Sequence, residues 1–155
     1  MRKTIVTLCV ALAALSTSAG AQTWTSEQQE LWKLEDMQWK MSAAKDHSWI
    51  PKMVHANMMG WDNDAPAPSN LASLTKWNRF NSGQSTTLEW EIYPIAATIT
   101  GNVAVMQYTY RNVTENFKKE HKGSSGRWTD VLIKDGGTWK FITWAGGADP
   151  SPASN

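Results

Sequence analysis

Arg127-Trp128-Thr129-Asp130-Val131-Leu132-Ile133-Lys134, then Asp135-Gly136-Gly137, then Thr138-Trp139-Lys140-Phe141-Ile142-Thr143-Trp144-Ala145 is the stretch on which the fold turns. Two runs rich in β-branched and aromatic residues flank a Gly-Gly pair, the pattern of a two-residue hairpin. A second hairpin precedes it: residues 86–100 and 103–114 have the same composition and enclose Gly101-Asn102. Gly123-Ser124-Ser125-Gly126 reads as a further turn. Cross-strand partners share a face. Around Gly136-Gly137, one face then collects Trp128, Asp130, Leu132, Trp139, Phe141 and Thr143. Around Gly101-Asn102, one face collects Glu91, Tyr93, Ile95, Ala97, Ile99, Ala104, Met106, Tyr108 and Tyr110, and the other Leu88, Trp90, Ile92, Val105, Gln107, Thr109 and Arg111. A one-residue slip exchanges the two sets, and Pro94 is a place for a bulge.

The first half reads as helix. Thr25 and Ser26 followed by Gln28 and Gln29 form a capping-box signature. Leu31, Leu34 and Met41, with Trp32, Trp39 and Ala43 beside them, mark the broad apolar face of a helix over about 26–45. Asp46-His47 ends it or opens a short second helix that stops before Pro51. Leu71, Leu74, Trp77 and Phe80 recur at helical spacing after a Ser69 or Asn70 cap, with Gly83 as terminator. Helices first and an antiparallel meander after them give an α+β domain, a curved antiparallel sheet packed on about three N-terminal helices. Both sheet faces carry apolar residues, whereas a face left in water shows clean alternation. The helices are expected to cover one face and a second copy of the chain the other, which makes a homodimer the expected state.

Outside this domain lie two segments. Met1-Arg2-Lys3-Thr4, an apolar run Ile5–Leu15, and Ala19-Gly20-Ala21 follow the order of a secretory signal peptide, with cleavage expected before Gln22. Eleven apolar residues are too few to span a bilayer, which takes about 20; the alternative is a buried N-terminal helix. The expected compartment is extracellular or periplasmic, with no membrane span. The single domain then occupies 22–149, and Pro150 to Asn155 form a flexible tail. Cys9 falls within the leader, so the mature chain has no disulfide, thiol nucleophile or thiolate metal site. Removing Arg2 and Lys3 from the 15 basic residues leaves 13 against 14 acidic ones. That balance excludes a nucleic-acid binder working by charge, which needs a cationic stripe. A hydrophobic content of 41% with ten Trp excludes a disordered acidic chain.

Gly126 to Ile142 resembles the closing hairpin of the nuclear transport factor 2-like superfamily, roughly R-x-T-x-h-h-x-K-x-x-G-x-W-K-h-h with h apolar. The closer likeness is to its SnoaL-like and ketosteroid-isomerase-like branches. Ala104-Val105-Met106 resembles the preceding strand and Leu34 to Asp46 the first helix. The resemblance implies a cone in which sheet and helices enclose an apolar pocket. It also implies frequent dimerisation and, in some members, proton transfer or ring closure by a pocket Asp or His. Relatives often carry a His near the end of the last strand; here Thr143-Trp144-Ala145-Gly146 has none.

Asp130 is the first candidate acid. Among apolar neighbours its pKa rises, and it can act as general acid or base or as a neutral donor; alternatively it pairs with Arg127 or Lys140. Asp46 is the second, at the helix end where the resemblance places a polar pocket residue. Tyr93, Tyr108 and Tyr110 are placed to donate to a ligand oxygen. Trp39, Trp49 and Trp61, with Trp77, come from segments facing the sheet and are expected to supply cavity walls together with Trp128 and Thr143. Glu89 and Glu91 alternate with apolar residues and read as a solvated strand face.

No metal site is expected. His47, His55 and His121 share no ligand spacing. Asp62-Asn63-Asp64 is similar to the start of a calcium loop, but Ala67 and Ser73 stand where it needs Gly and Glu. No cofactor fingerprint is present: G-x-S-x-G, P-loop and dinucleotide motifs are all missing. Asn112-Val113-Thr114 is a glycosylation sequon. The expected function is capture of a small apolar or aromatic molecule in a Trp- and Tyr-lined pocket. The alternative is isomerase- or cyclase-like proton transfer by a pocket Asp. Export with leader removal has a direct check: sequencing the protein from culture medium or periplasm is expected to begin at Gln22, and an intact Met1 there overturns the reading.

Overall fold

A computed structural model describes residues 23–150, so the leader and most of the tail lie outside the described residues. Helix α1 (Ser26–Ala43) opens on the capping box read from sequence: Thr25 Oγ1 accepts from Gln28 N–H at 3.2 Å, and Gln28 Oε1 accepts from Thr25 N–H at 2.8 Å. Helix α2 (Trp49–Met53) contains Pro51 instead of stopping before it. The ring sits in the first turn, where the missing N–H has no intrahelical acceptor to lose. Helix α3 (Leu71–Gln84) is capped by Asn70 Oδ1 on Ser73 N–H, 2.9 Å, and runs through Gly83.

The sheet has six strands: β1 (Val54–Asp62), β2 (Ser69–Asn70), β3 (Ser85–Thr100), β4 (Val103–Asn116), β5 (His121–Asp135) and β6 (Thr138–Ala148), in the order β2-β1-β6-β5-β4-β3. The α+β architecture holds, with the four-stranded meander antiparallel throughout. Two strands go beyond the sequence reading. The segment after Pro51 forms β1, which lies parallel to β6 and makes the sheet mixed. Residues 123–126 are strand, not turn: β5 begins at His121, and the reversal falls at 117–120, where Lys119 takes φ 65°.

Two bulges decide which residues face the helices. Around Gly101 the expected pairing holds from Thr100↔Val103 to Ala96↔Gln107, then Ile95 is passed over and Pro94 pairs with Tyr108. Around Gly136 it holds to Leu132↔Phe141, then Ile142 is passed over and Val131 pairs with Thr143. Each extra residue inverts the faces beyond it. The helix side therefore carries Trp90 and Ile92 with Tyr108 and Tyr110, and Trp144 with Asp130. Tyr93 and Thr143 are delivered to the opposite side.

The core lies between α1, α2 and that inner face, with Leu31, Ile50, Met58, Met106, Leu132 and Phe141 almost fully buried. Helices cover this face only. On the other face Val105, Val131 and Ile133 are half-buried and Val103, Tyr93 and Ile95 exposed. Among the described residues no helix is long and apolar enough to cross a membrane. Leu132 is 0% exposed at the sheet centre. Leu132→Ala is therefore expected to cost about 2–5 kcal/mol in urea unfolding; a loss below about 1 kcal/mol overturns this placement of the core.

Candidate functional site

A cleft of about 330 Å³ opens between the helices and the inner face of the sheet. Helix α1 contributes Gln38, Trp39 and Ser42, α2 contributes Trp49, and α3 contributes Leu74 and Asn78. The sheet supplies Asp62 from β1, Tyr110 and Asn112 from β4, Trp128 and Asp130 from β5, and Phe141 and Trp144 from β6. Volume and largely aromatic walls suit a small flat molecule.

Asp130 forms part of the wall while only 6% exposed. Strand pairing sets it beside Met106 and Trp144, and Tyr108 Oη donates to its Oδ2 at 3.1 Å. Trp39 Nε1–H donates in turn to Tyr108 Oη at 3.1 Å, so a line of donors runs from the cleft wall to the acid. Arg127 and Lys140 are engaged elsewhere, with Asp149 and Asp135. Behind Asp130 lies Glu35, 0% exposed. Both Glu35 oxygens are buried without a hydrogen-bond partner, a setting that favours the protonated, neutral acid beside Asp130. Burial is the largest cause lifting Glu35 well above the usual carboxylate range, and the Asp130 charge adds to it. Burial likewise pushes Asp130 up to about 7, while hydrogen bonds from Tyr108 and Glu35 work against the rise. The Tyr108 hydroxyl is raised by burial and by both acids, and stays protonated.

Asp62 stands at the cleft mouth, open to water over much of its surface, and accepts from Trp144 Nε1–H at 2.9 Å. Partial burial raises its pKa despite that bond. The Trp144 indole lies flat across Gly60, where an added Cβ would meet the ring at 2.1 Å. Aromatic contacts join the wall on the α1 side: Trp39 lies 5.0 Å from Tyr110 and 5.8 Å from Trp90 between ring centres.

Of the residues singled out from sequence, Asp130, Trp39, Trp49, Tyr110 and Trp128 line the cleft, and Tyr108 lies directly behind it. Five others are elsewhere. Asp46 is exposed, and its Oδ1 accepts from Ser48 N–H at 2.9 Å; that bonding holds its pKa below the usual value, the reverse of what a base in a pocket needs. Trp61, 53% exposed, turns outward and donates to Ala65 O at 3.1 Å. The bulge at Ile95 puts Tyr93 on the outer face, bonded to Glu91, which also pairs with Arg111. The bulge at Ile142 turns Thr143 away, its Oγ1 donating to Met59 O at 2.5 Å, and Trp144 takes its place. Trp77 is exposed against Phe80. Asn112 of the sequon turns its Oδ1 inward, buried and without a donor.

Glu35 went unread in the sequence, and Asp62 was weighed only as part of a calcium-loop-like run, not as a cleft residue. Glu35 had a signal, because it falls four residues after Leu31 and four before Trp39, inside the apolar stripe of α1. Among the described residues no group of three or more His, Cys, Asp or Glu is placed to hold a metal ion.

A curved, unclosed sheet with three helices on one face and an acid under the helices settles the architecture. The fold is that of the nuclear transport factor 2-like superfamily. The chain superposes on a ketosteroid isomerase-like protein from Erwinia carotovora with a TM-score of 0.73 at 9% identity, over 83% of this chain and 100% of the other. An NTF2-like protein from Cytophaga hutchinsonii gives 0.69 at 12% identity, over 81% and 100%. The association domain of C. elegans CaMKII gives 0.58 at 13%, over 78% and 95%. No family model and no curated protein matches the chain.

The buried acids set a pH dependence. Native Glu35 and Asp130 keep protons that the unfolded chain releases near pH 4, so stability falls as pH rises from about 5 through about 7. Surface carboxylates held low by their partners, such as Asp46, Glu91 and Glu115, act in the opposite sense only at lower pH. The thermal midpoint is expected to drop between about pH 5.5 and 8. Glu35→Gln is expected to reduce that slope by removing one of the two titrating groups, and a midpoint flat across this range in the unmodified protein contradicts the buried pair.

Proposed function

We propose that this chain is an exported small-molecule-binding domain that seats a flat, largely apolar ligand in the cleft, with one polar ligand group at Asp130. The observation that carries this is a single deeply buried carboxyl set into a wall of indole and phenol rings, around a space of small-molecule size. Aromatic walls supply most of the affinity by area, and the buried carboxyl orients the guest. Export rests on the leader-like N-terminus.

The reading is tested by following the ten indole N–H resonances during titration with 2-phenylethanol. Binding in the cleft is expected to move the signals of Trp39, Trp128 and Trp144 and to leave those of Trp61 and Trp77. Leu74→Trp, which plugs the cleft, is expected to abolish the shifts. Shifts that survive the plug, or none in the unmodified protein, overturn the reading.

The Asp130–Tyr108–Glu35 arrangement favours a second reading, proton transfer of the isomerase type. One solved structure of this fold is described as ketosteroid isomerase-like. A carboxyl whose pKa lies near neutrality exchanges protons in both directions most readily, and Tyr108 holds its Oδ2 in place. Deuterium exchange next to the carbonyl of small cyclic ketones measures this. Unmodified protein is expected to exceed the buffer rate, with Asp130→Asn slower by about 10²–10⁴-fold; equal rates in the two proteins exclude the role.

Homodimerisation through the outer sheet face is part of the same proposal. Val105, Val131 and Ile133 lie on that face without a covering helix, and one chain of similar fold is named an association domain. Sedimentation is expected to give a dimer that Val131→Lys converts to a monomer; a monomeric unmodified protein refutes it.

A further inference from the structure

The cleft is uniform in electrical sign. Four indoles, Trp39, Trp49, Trp128 and Trp144, line it together with the Tyr110 ring, and each ring face carries the negative side of its quadrupole. Two carboxyls, Asp62 and Asp130, belong to the same lining, and no Lys, Arg or His does. The nearest imidazole, His47, stands behind Asn78, with Nδ1 2.6 Å from Asn78 Oδ1. Asn112 Oδ1, also in the lining, is a buried acceptor without a donor. The unmet demand is therefore for donors and positive charge. The one buried donor without a partner there is Trp49 Nε1–H, which takes a single acceptor.

A neutral guest with one hydroxyl satisfies Asp130 and leaves Asp62 and Asn112 Oδ1 unanswered. An anion meets two like charges and the negative faces of the rings. A protonated amine provides up to three donors and a charge that both the carboxyls and the indole faces attract.

The geometry points to an organic ammonium ion as the occupant: a small aromatic or alkyl amine with its apolar body against the indoles and its charged nitrogen within reach of Asp62 and Asp130. This inference rests on the ligand-binding reading above and narrows it to one charge class. Burial also leaves Asp130 short of a counter-charge, which such a guest supplies.

Calorimetric titration at about pH 7.5 with three probes of similar shape tests it: 2-phenylethylammonium, 2-phenylethanol and 3-phenylpropionate. The ammonium is expected to bind at least about tenfold tighter than the alcohol, consistent with desolvated cation–π contact plus ionic attraction, and the carboxylate not measurably. Asp62→Asn keeps an acceptor for the Trp144 indole while deleting the charge. It is expected to weaken the ammonium about three- to tenfold and the alcohol by less than about twofold. If the alcohol or the carboxylate binds as tightly as the ammonium, the charge-class inference is overturned while the cleft remains a binding site. An ammonium preference untouched by Asp62→Asn overturns it as well. If none of the three binds, the ligand-binding reading falls and this inference with it.

Discussion

Two carboxyl groups kept from water on one side of a single sheet constrain the rest of this molecule. Glu35 from α1 and Asp130 from β5 meet in the interior, where Tyr108 donates to Asp130 and nothing donates to Glu35. Two ionised carboxylates in that space repel each other and forgo hydration at large cost, so a proton must reside between them. The position of α1 against the sheet is therefore more than apolar packing. Leu31 and Trp32 supply the buried area, and the acid pair sets a polar requirement that only one registration of helix on sheet meets.

The same packing creates the hollow. Indole rings from α1, α2 and two strands are too broad and rigid to close over an acid completely, and their edges leave a cleft with Asp130 in its wall. Close approach of backbone to ring completes the far wall. At Gly60 the Trp144 ring occupies the place of a side chain, and at Gly146 a Cβ would strike Arg127 O at 2.2 Å. The glycines of β1 and β6 thus admit aromatic bulk where the cleft needs a flat surface.

Much of this was legible in the residues. The capping box at Thr25, the two glycine-centred hairpins and the α+β layout follow from local chemistry, and local chemistry is what a sequence displays. Asp130, Tyr108, Tyr110 and Trp128 fall on the inner face because β4 and β5 pair without interruption. The misplacements of Tyr93 and Thr143 have one cause. A bulge is a decision made by packing: Pro94 marked a place for the one at Ile95, whereas nothing beside Ile142 marked the other. One skipped residue nonetheless exchanged Tyr93 for Ile92, and another exchanged Thr143 for Trp144. Strand β1 was hidden differently. Its sequence, Val54-His55-Ala56-Asn57-Met58-Met59-Gly60-Trp61-Asp62, has weak alternation and little β-branching, and its parallel bond to β6 depends on a partner some eighty residues away. Glu35 was visible by spacing but contrary in type, since a carboxylate inside an apolar stripe is read as surface unless a second acid is known to face it.

The indole of Trp39 has two duties at once. Its ring belongs to the cleft wall, and its N–H holds the hydroxyl that holds Asp130. Under the ligand-binding proposal, a guest pressing on that ring would alter the donor reaching Tyr108, and through it the proton affinity of the buried acid. Occupancy and acidity would then be a single variable, read at one end as shape and at the other as charge.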